Sequence, residues 1–486
     1  MLMYAILAMP LAAGATAALP WRPWAGWVAV AANGAVLVLG IVLAAQVTRG
    51  HPTRAADGIL RADALSAFMV VVIGVIAVLA SSQSVRYLSA ETRRGAGTAR
   101  RASLYTALVQ AFVACMLLAV LAANLGVMWV AVEATTIATT FLVGHRGTDG
   151  ALEASWKYLV LCSAGIALAF LGTVLFYFAA LHAAGHPAGS LDWTALMAAS
   201  HRLDPGVVRL ATGLIVLGYG TKTGLAPMHS WLPDAHSQAP APVSALMSGV
   251  LLTVAFYALL RFKAIADGTL GPGYPRMLLV VAGLASLAVA ASLLIAQRDY
   301  KRMLAYSSME HMGLLALGAA AGGRLAITAV LLHILGHGLA KSVLFVGSGQ
   351  IVAATGTTRI AEVTALAARR PVLAATFGAG VLALIGMPPF SLFASILGIA
   401  RAGFARGLGW AVAIAVVLML VAGAAVITHT ARMLLGRPDD GQPSEPTTVR
   451  AGLPLVLGLG ACAVVGVTIW PIATLLHAAA TVGAGL

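Results

Sequence analysis

Residues 217–248 read LGYGTKTGLAPMHSWLPDAHSQAPAPVSALMS. The stretch lies between apolar runs, yet it holds Lys222, His229, Asp234, His236 and four prolines. The rest of the chain avoids charge. Only 9% of its 486 residues are charged, against roughly 25% in an ordinary soluble domain. Hydrophobic residues make up 60%, and apolar runs of about 20 residues, enough to cross a hydrocarbon core, recur from end to end. These features identify an all-α polytopic membrane protein. A soluble fold would need many helices that are apolar all round.

The net charge of +14 is spread over short loops with no dense patch, so it reads as a topology signal and no nucleic-acid partner is expected. Cys115, Cys162 and Cys462 lie in apolar runs without CxxC spacing, which supports neither a disulfide framework nor an iron–sulfur site. Neither a Walker loop nor a strand-bound GxGxxG is present. The first residues, MLMYAILAMPLAAGATAAL, lack the basic start of a signal peptide and read as a retained first span.

Fourteen spans are expected, near 3–19, 25–46, 63–82, 103–123, 124–144, 156–181, 207–236, 241–262, 274–296, 303–320, 324–353, 371–403, 408–435 and 451–480. Alternating the loops between two sides places 17 Lys or Arg on one side and 11 on the other, with Lys222 and Lys341 inside spans. The richer side should be cytoplasmic, which leaves both termini outside. The hydrophilic stretch 436–450 reads as a surface loop.

Charges inside spans carry the functional information, because each costs roughly 2.5–3.5 kcal/mol at the centre of a lone helix. Glu133 sits in NLGVMWVAVEATTIATTFLVG, and Lys222 sits in the seventh span. Pro227 and Pro233 lack the amide hydrogen and should break that span beyond the lysine. Such breaks survive at membrane depth where they line protein or water. A Glu133–Lys222 ion pair is expected, and a static pair that only fixes helix packing is the alternative. In the eleventh span, His333, His337 and Lys341 recur every four residues, about 6 Å apart along one helical face. That stripe suits a proton relay. The competing metal reading lacks the HExxH glutamate, since Ile334 follows His333. No metal and no cofactor are expected.

A second break, GMPPF (386–390), falls in the twelfth span. Two breaks five spans apart point to inverted repeats. The spans then group as an N-terminal set in 1–102, repeats over 103–262 and 274–435, and a last helix in 451–486.

The run KTGLAPMHSWLPDAHSQAPAPVSALMSG resembles the signature of the antiporter-like membrane subunits of respiratory complex I and its relatives. So do DYKRMLAYSSMEHMG (299–313), HILGHGLAKSVLFVGSGQI and the GMPPF break, a similarity that covers roughly residues 60–435. Within that family, VEATTIATTFLVG, ALEASWKYLVLCSAGIALAFLG and MEHMG are most similar to the F-type subunits of hydrogenase-4 complexes. The resemblance implies proton translocation coupled to redox chemistry in partner subunits, in a bacterial or archaeal inner membrane, with sodium as the alternative ion. It implies the relay Glu133, Lys222, His333, His337 and Lys341, with Lys157 opening the sixth helix. Accessory candidates read from their positions are His229, Asp234 and His236 around the first break, and Glu310 and His311, about eight residues into the tenth span. Two positions depart from the family. Thr253 stands where an M-type subunit has lysine, and Ile396 stands where a glutamate or lysine is expected after the second break. The alternatives are an Mrp-like cation/proton antiporter and a non-pumping scaffold subunit.

Overall fold

A computed structural model describes residues 1–50, 52–95, 97–183, 191–436 and 449–485. The expected surface loop 436–450 falls almost wholly outside them. The protein is a bundle of helices: α1 (Leu2–Ala15), α2 (Pro23–Arg49), α3 (Ala64–Arg93), α4 (Ala99–Leu121), α5 (Leu125–Val143), α6 (Asp149–Leu181) and the short α7 (Trp193–Ala198). There follow α8 (Pro205–Thr223), α9 (Trp231–Gln238), α10 (Ala241–Leu246) and, after a π-helical stretch at Met247–Leu251, α11 (Leu252–Leu270). The remainder comprises α12 (Gly273–Ile295), α13 (Tyr300–Ala321), α14 (Gly323–Thr355), α15 (Leu366–Arg369), α16 (Pro371–Leu384), α17 (Ser391–Ala405), α18 (Gly409–Leu434), α19 (Val449–Val467) and α20 (Ala473–Gly483). A small hairpin, β1 (Thr53–Ala55) and β2 (Leu60–Ala62), precedes α3.

Short polar side chains start the helices. Asp63, Thr98, Asn124, Thr148, Asp204 and Asp299 each accept a first-turn amide, pairing donors that a helix start leaves free. Asn124 thus separates α4 from α5 within three residues.

Among the described residues, nine helices are long and apolar enough to cross a membrane. The protein is an integral membrane protein. The most apolar windows of α14 and of Ala241–Leu270 are entirely buried within the protein, whereas those of α2 and α18 are only 33% buried. The histidine-bearing helix is therefore central and shielded from lipid.

The two breaks occur as the prolines suggest, with one adjustment. Helix α8 ends at Gly224, which takes the left-handed conformation (φ 84°) that glycine adopts most easily. The chain then runs irregularly to Ser230. Pro227 lies in that gap, but Pro233 sits in the first turn of α9, where its missing amide hydrogen costs nothing. The second break separates α16 from α17 at 385–390. A third break was not expected. Instead of one helix over 451–480, Gly452–Val467 and Trp470–Gly483 meet at 86°, because Pro471 starts a new turn there.

Close helix crossings surround the breaks. A Cβ on Gly218 of α8 would lie 2.5 Å from the Ala169 nitrogen of α6. Only glycine admits that approach, one turn from Lys222. On the other side, a Cβ on Gly466 of α19 would lie 2.0 Å from the Pro389 carbonyl oxygen, so α19 rests directly on the second break.

Candidate functional site

Lys222 occupies the last turn of α8 and is fully buried. Its Nζ donates to Thr136 Oγ1 of α5 at 2.8 Å and to Tyr158 OH of α6 at 2.7 Å. It also stands 4.8 Å from the centre of the Tyr158 ring, within cation–π range. Glu133 is partly buried one turn before Thr136. Its carboxylate accepts from Thr136 Oγ1 at 3.0 Å and from Ser163 Oγ at 2.9 Å. The expected Glu133–Lys222 contact is therefore indirect. The Thr136 hydroxyl lies between them, giving its hydrogen to the carboxylate and accepting from the ammonium. The spacing i, i+3 puts Glu133 and Thr136 on one face of α5, which makes this bridge possible.

The first break is tied down from several sides. Trp231 Nε1 donates to the Thr221 carbonyl at 2.9 Å, an acceptor it shares with the Gly224 amide at the end of α8. Lys301, buried on α13, donates to the Ser237 and Ala239 carbonyls, each at 2.7 Å, at the end of α9. Asp234 pairs with Lys157 at 3.2 Å and with Arg302 at 2.6 Å, while Lys157 also meets Glu153 at 2.6 Å. His229 contacts the Pro227 carbonyl at 3.1 Å and stays at the surface side of the gap. His236 is fully buried and stacks on Phe345 of α14, with ring centres 5.0 Å apart. Neither of its ring nitrogens has a partner among the described residues.

The expected stripe on α14 forms, and α13 joins it. Lys341 Nζ donates to the Leu304 carbonyl at 2.7 Å and to Ser307 Oγ. His333 Nε2 lies 3.0 Å from His311 Nδ1, and His333 Nδ1 lies 2.9 Å from Ser395 Oγ of α17. His337 packs beside both histidines, 5.2 Å from the His311 ring and 6.4 Å from the His333 ring. Glu310 is buried next to His311, within electrostatic range of Lys341. No group of three or more His, Cys, Asp or Glu suited to a metal occurs among the described residues.

Ile396 faces away from this network. Its Cδ1 occupies the space beside Gly386, and its side chain lines an apolar crevice with Leu314, Leu317 and Met419. Thr253 turns its hydroxyl back onto the Val250 carbonyl. Nothing in the sequence singles out Thr136, Tyr158, Ser163, Ser307 or Ser395, which are the hydroxyl partners of the ionisable groups, and Lys301 is likewise inconspicuous within DYKRMLAYSSMEHMG.

A second buried charge pair stands apart. Arg261 Nη2 of α11 donates to Asp63 Oδ1 at 2.8 Å, with both side chains 3% exposed. Ser66 and Tyr257 complete the cluster at 3.1 and 3.0 Å, and the guanidinium lies over Trp193.

Comparison with known proteins places this geometry in a context. Residues 122–422 match the transmembrane region of the NADH:quinone oxidoreductase/Mrp antiporter family. A "Hydrogenase-4 component F homolog" of Methylacidiphilum infernorum (isolate V4) is 41% identical over 344 residues, covering 71% of this chain and 72% of the relative. The "NADH-quinone oxidoreductase subunit N" of Desulforudis audaxviator (strain MP104C) is 33% identical over 389 residues, covering 77% and 75%. Among solved structures, a chain of the membrane-bound sulfane sulfur reductase, an archaeal respiratory membrane complex, superposes with a TM-score of 0.87 at 24% identity, covering 99% of this chain and 97% of that one.

Proposed function

The chain belongs to the NADH:quinone oxidoreductase/Mrp antiporter family, and from that premise we propose that it is the proton-translocating, antiporter-like membrane subunit of a multisubunit redox complex of the hydrogenase-4 kind. One observation carries the reading. A fully buried lysine, Lys222, is held by two hydroxyls beside a break in its own helix, one hydroxyl away from Glu133. A static structural charge needs no such adjustable bridge.

In this reading Lys222 is loaded when Glu133, acting through Thr136, favours the ammonium. It is discharged when that support is withdrawn, since an unsupported ammonium in a low dielectric gives up its proton. The proton then passes towards Lys341 and on to His337, His333 and His311. His236, stacked against α14 near the centre of the bundle, is the intermediate group on the way. Lys157 and Asp234 gate the intake side, where Arg302 shares the carboxylate. Counting each interrupted pair as one crossing makes fourteen spans, with both termini outside. Helices α4–α11 and α12–α18 are then two inverted repeats, each broken at its fourth span. The family resemblance to redox-complex subunits supports other membrane and hydrophilic subunits as partners, and no cofactor is assigned to this chain.

The test uses the intact complex in native membrane vesicles. Lys222→Ala should abolish proton translocation while assembly and electron transfer persist. Lys222→Arg should fail as well, because arginine remains charged at any working pH. Normal pumping by either variant would instead make the chain a scaffold. A purified complex that lacks redox subunits and exchanges protons for sodium would place it in the Mrp-like class.

A further inference from the structure

The twelfth span offers no titratable group at the end of the relay. Helix α16 has none, and α17 has only Arg401, which is exposed. What α17 does present is Ser395, fully buried, with its Oγ 2.9 Å from His333 Nδ1 and 2.9 Å from the Leu392 carbonyl. On the far side of the pair, the His311 ring lies near the end of α16, whose last residue is Leu384. That end carries the negative pole of the helix dipole.

These contacts admit two hydrogen-bond arrangements on the same heavy atoms. With both rings neutral, His311 keeps its hydrogen on Nε2, on the side of α16, and His333 Nε2–H donates to His311 Nδ1. Ser395 then turns its hydrogen to His333 Nδ1. One added proton bonds to His333 Nδ1, which now donates to Ser395 Oγ, and the serine hydrogen swings to the Leu392 carbonyl. The hydrogen between the rings can sit on either nitrogen, so the charge spreads over both imidazoles. The His333 and Ser395 donors are paired in both arrangements, as a buried site requires.

We infer that His311 and His333 together form the proton-storage site of the second half, in place of a carrier on α17, and that Ser395 is the positioning residue that lets His333 take up one proton with both of its ring nitrogens still hydrogen-bonded. This rests on the proton-translocating reading above. The other titratable groups around the pair are His337 and Lys341 on α14 and Glu310 on α13. All three lie on the intake side of the pair, and α17 faces it with a hydroxyl alone.

The experiment is a pH titration of the purified complex carrying isotope-labelled histidine rings. The signal of the pair is identified as that lost in His333→Gln, and pumping is measured in parallel. A single protonation per pair is expected. Ser395→Ala removes a donor to the neutral pair and an acceptor for the protonated one; the charge-assisted bond is the stronger, so the titration midpoint should fall by roughly one pH unit, about a tenfold loss of proton affinity. Pumping should slow with it, and Ser395→Thr should restore both. A Ser395→Ala titration identical to wild type, or a threonine variant that behaves like alanine, would overturn the inference. The Lys222→Ala control separates the two levels. If that variant pumps normally, the functional reading fails whatever the histidines do. If it does not pump while Ser395→Ala titrates as wild type, only the storage site fails.

Discussion

Replacing Thr136 by valine tests the bridge with almost no change of shape. The hydroxyl accepts from Lys222 Nζ at 2.8 Å and donates to Glu133 at 3.0 Å, so its removal cuts both contacts at once. Lys222 keeps Tyr158 as a partner at 2.7 Å, but a further one of its three ammonium hydrogens loses its acceptor in a fully buried site. A hydrogen bond to a charged group contributes roughly 1.5–3 kcal/mol, which is about a 10- to 150-fold change in the balance between loaded and unloaded lysine. The sign follows from who accepts. The hydroxyl supports the protonated lysine, so without it loading weakens, and pumping at neutral pH should fall by about that factor. Lowering the pH by roughly one to two should recover part of it. Acridine-dye quenching in inside-out native vesicles, driven by the complex's own electron donor, reads pumping, and electron transfer is followed separately. Thr136→Ser should pump normally. If Thr136→Val moves as many protons per electron as wild type from pH 6 to 8, the hydroxyl is not the link and the proposed switch is wrong.

Two further outcomes are expected. Lys301→Met leaves the Ser237 and Ala239 carbonyls at the end of α9 unpaired. It should destabilise the first break by roughly 1–3 kcal/mol per lost partner, seen as a lower thermal midpoint and easier proteolysis near residues 224–240. Asp63→Asn should destabilise the protein by about 3–5 kcal/mol, because it strands the Arg261 guanidinium in a buried site. Adding Arg261→Met should recover most of that loss in the same melting assay. Burial alone would push the Asp63 carboxyl up, but the Arg261 guanidinium and the Ser66 contacts outweigh it and hold the group below its usual range. Its contribution to stability is therefore present above about pH 4 and disappears as pH falls through the depressed value.

The fold and the ionisable line were legible because charge is costly in a membrane. Glu133, Lys222, His333, His337 and Lys341 stand out against apolar surroundings, and the structure keeps the last four fully buried. Hydroxyls carry no such signal. Thr135, Thr136, Thr139 and Thr140 look alike in sequence, yet three of them bond back to carbonyls of their own helix. Only Thr136 spends its hydrogen on Glu133 and so can receive Lys222. Ser395 was hidden in the same way, one position before the Ile396 that drew attention for lacking charge. The bend between α19 and α20 was missed because the apolar run continues across Pro471 without a polar break.

The two breaks are held by different chemistry, and that difference bears on what each can do. At the first, Lys301 puts two of its three ammonium hydrogens on backbone carbonyls of α9 and just beyond, and no second titratable group shares those bonds. It works as a fixed cap. At the second, the end of α16 lies near the ring of His311, which is hydrogen-bonded to His333. An imidazole has two nitrogens, and a change of protonation at one alters what the other can donate. Under the proposed function, the second break therefore lies beside a ring that can change state. Gly466 on α19 leaves the backbone beneath it no room to shift sideways. In the proposed relay, a proton taken up at His333 is accommodated by rearranging hydrogens rather than helices.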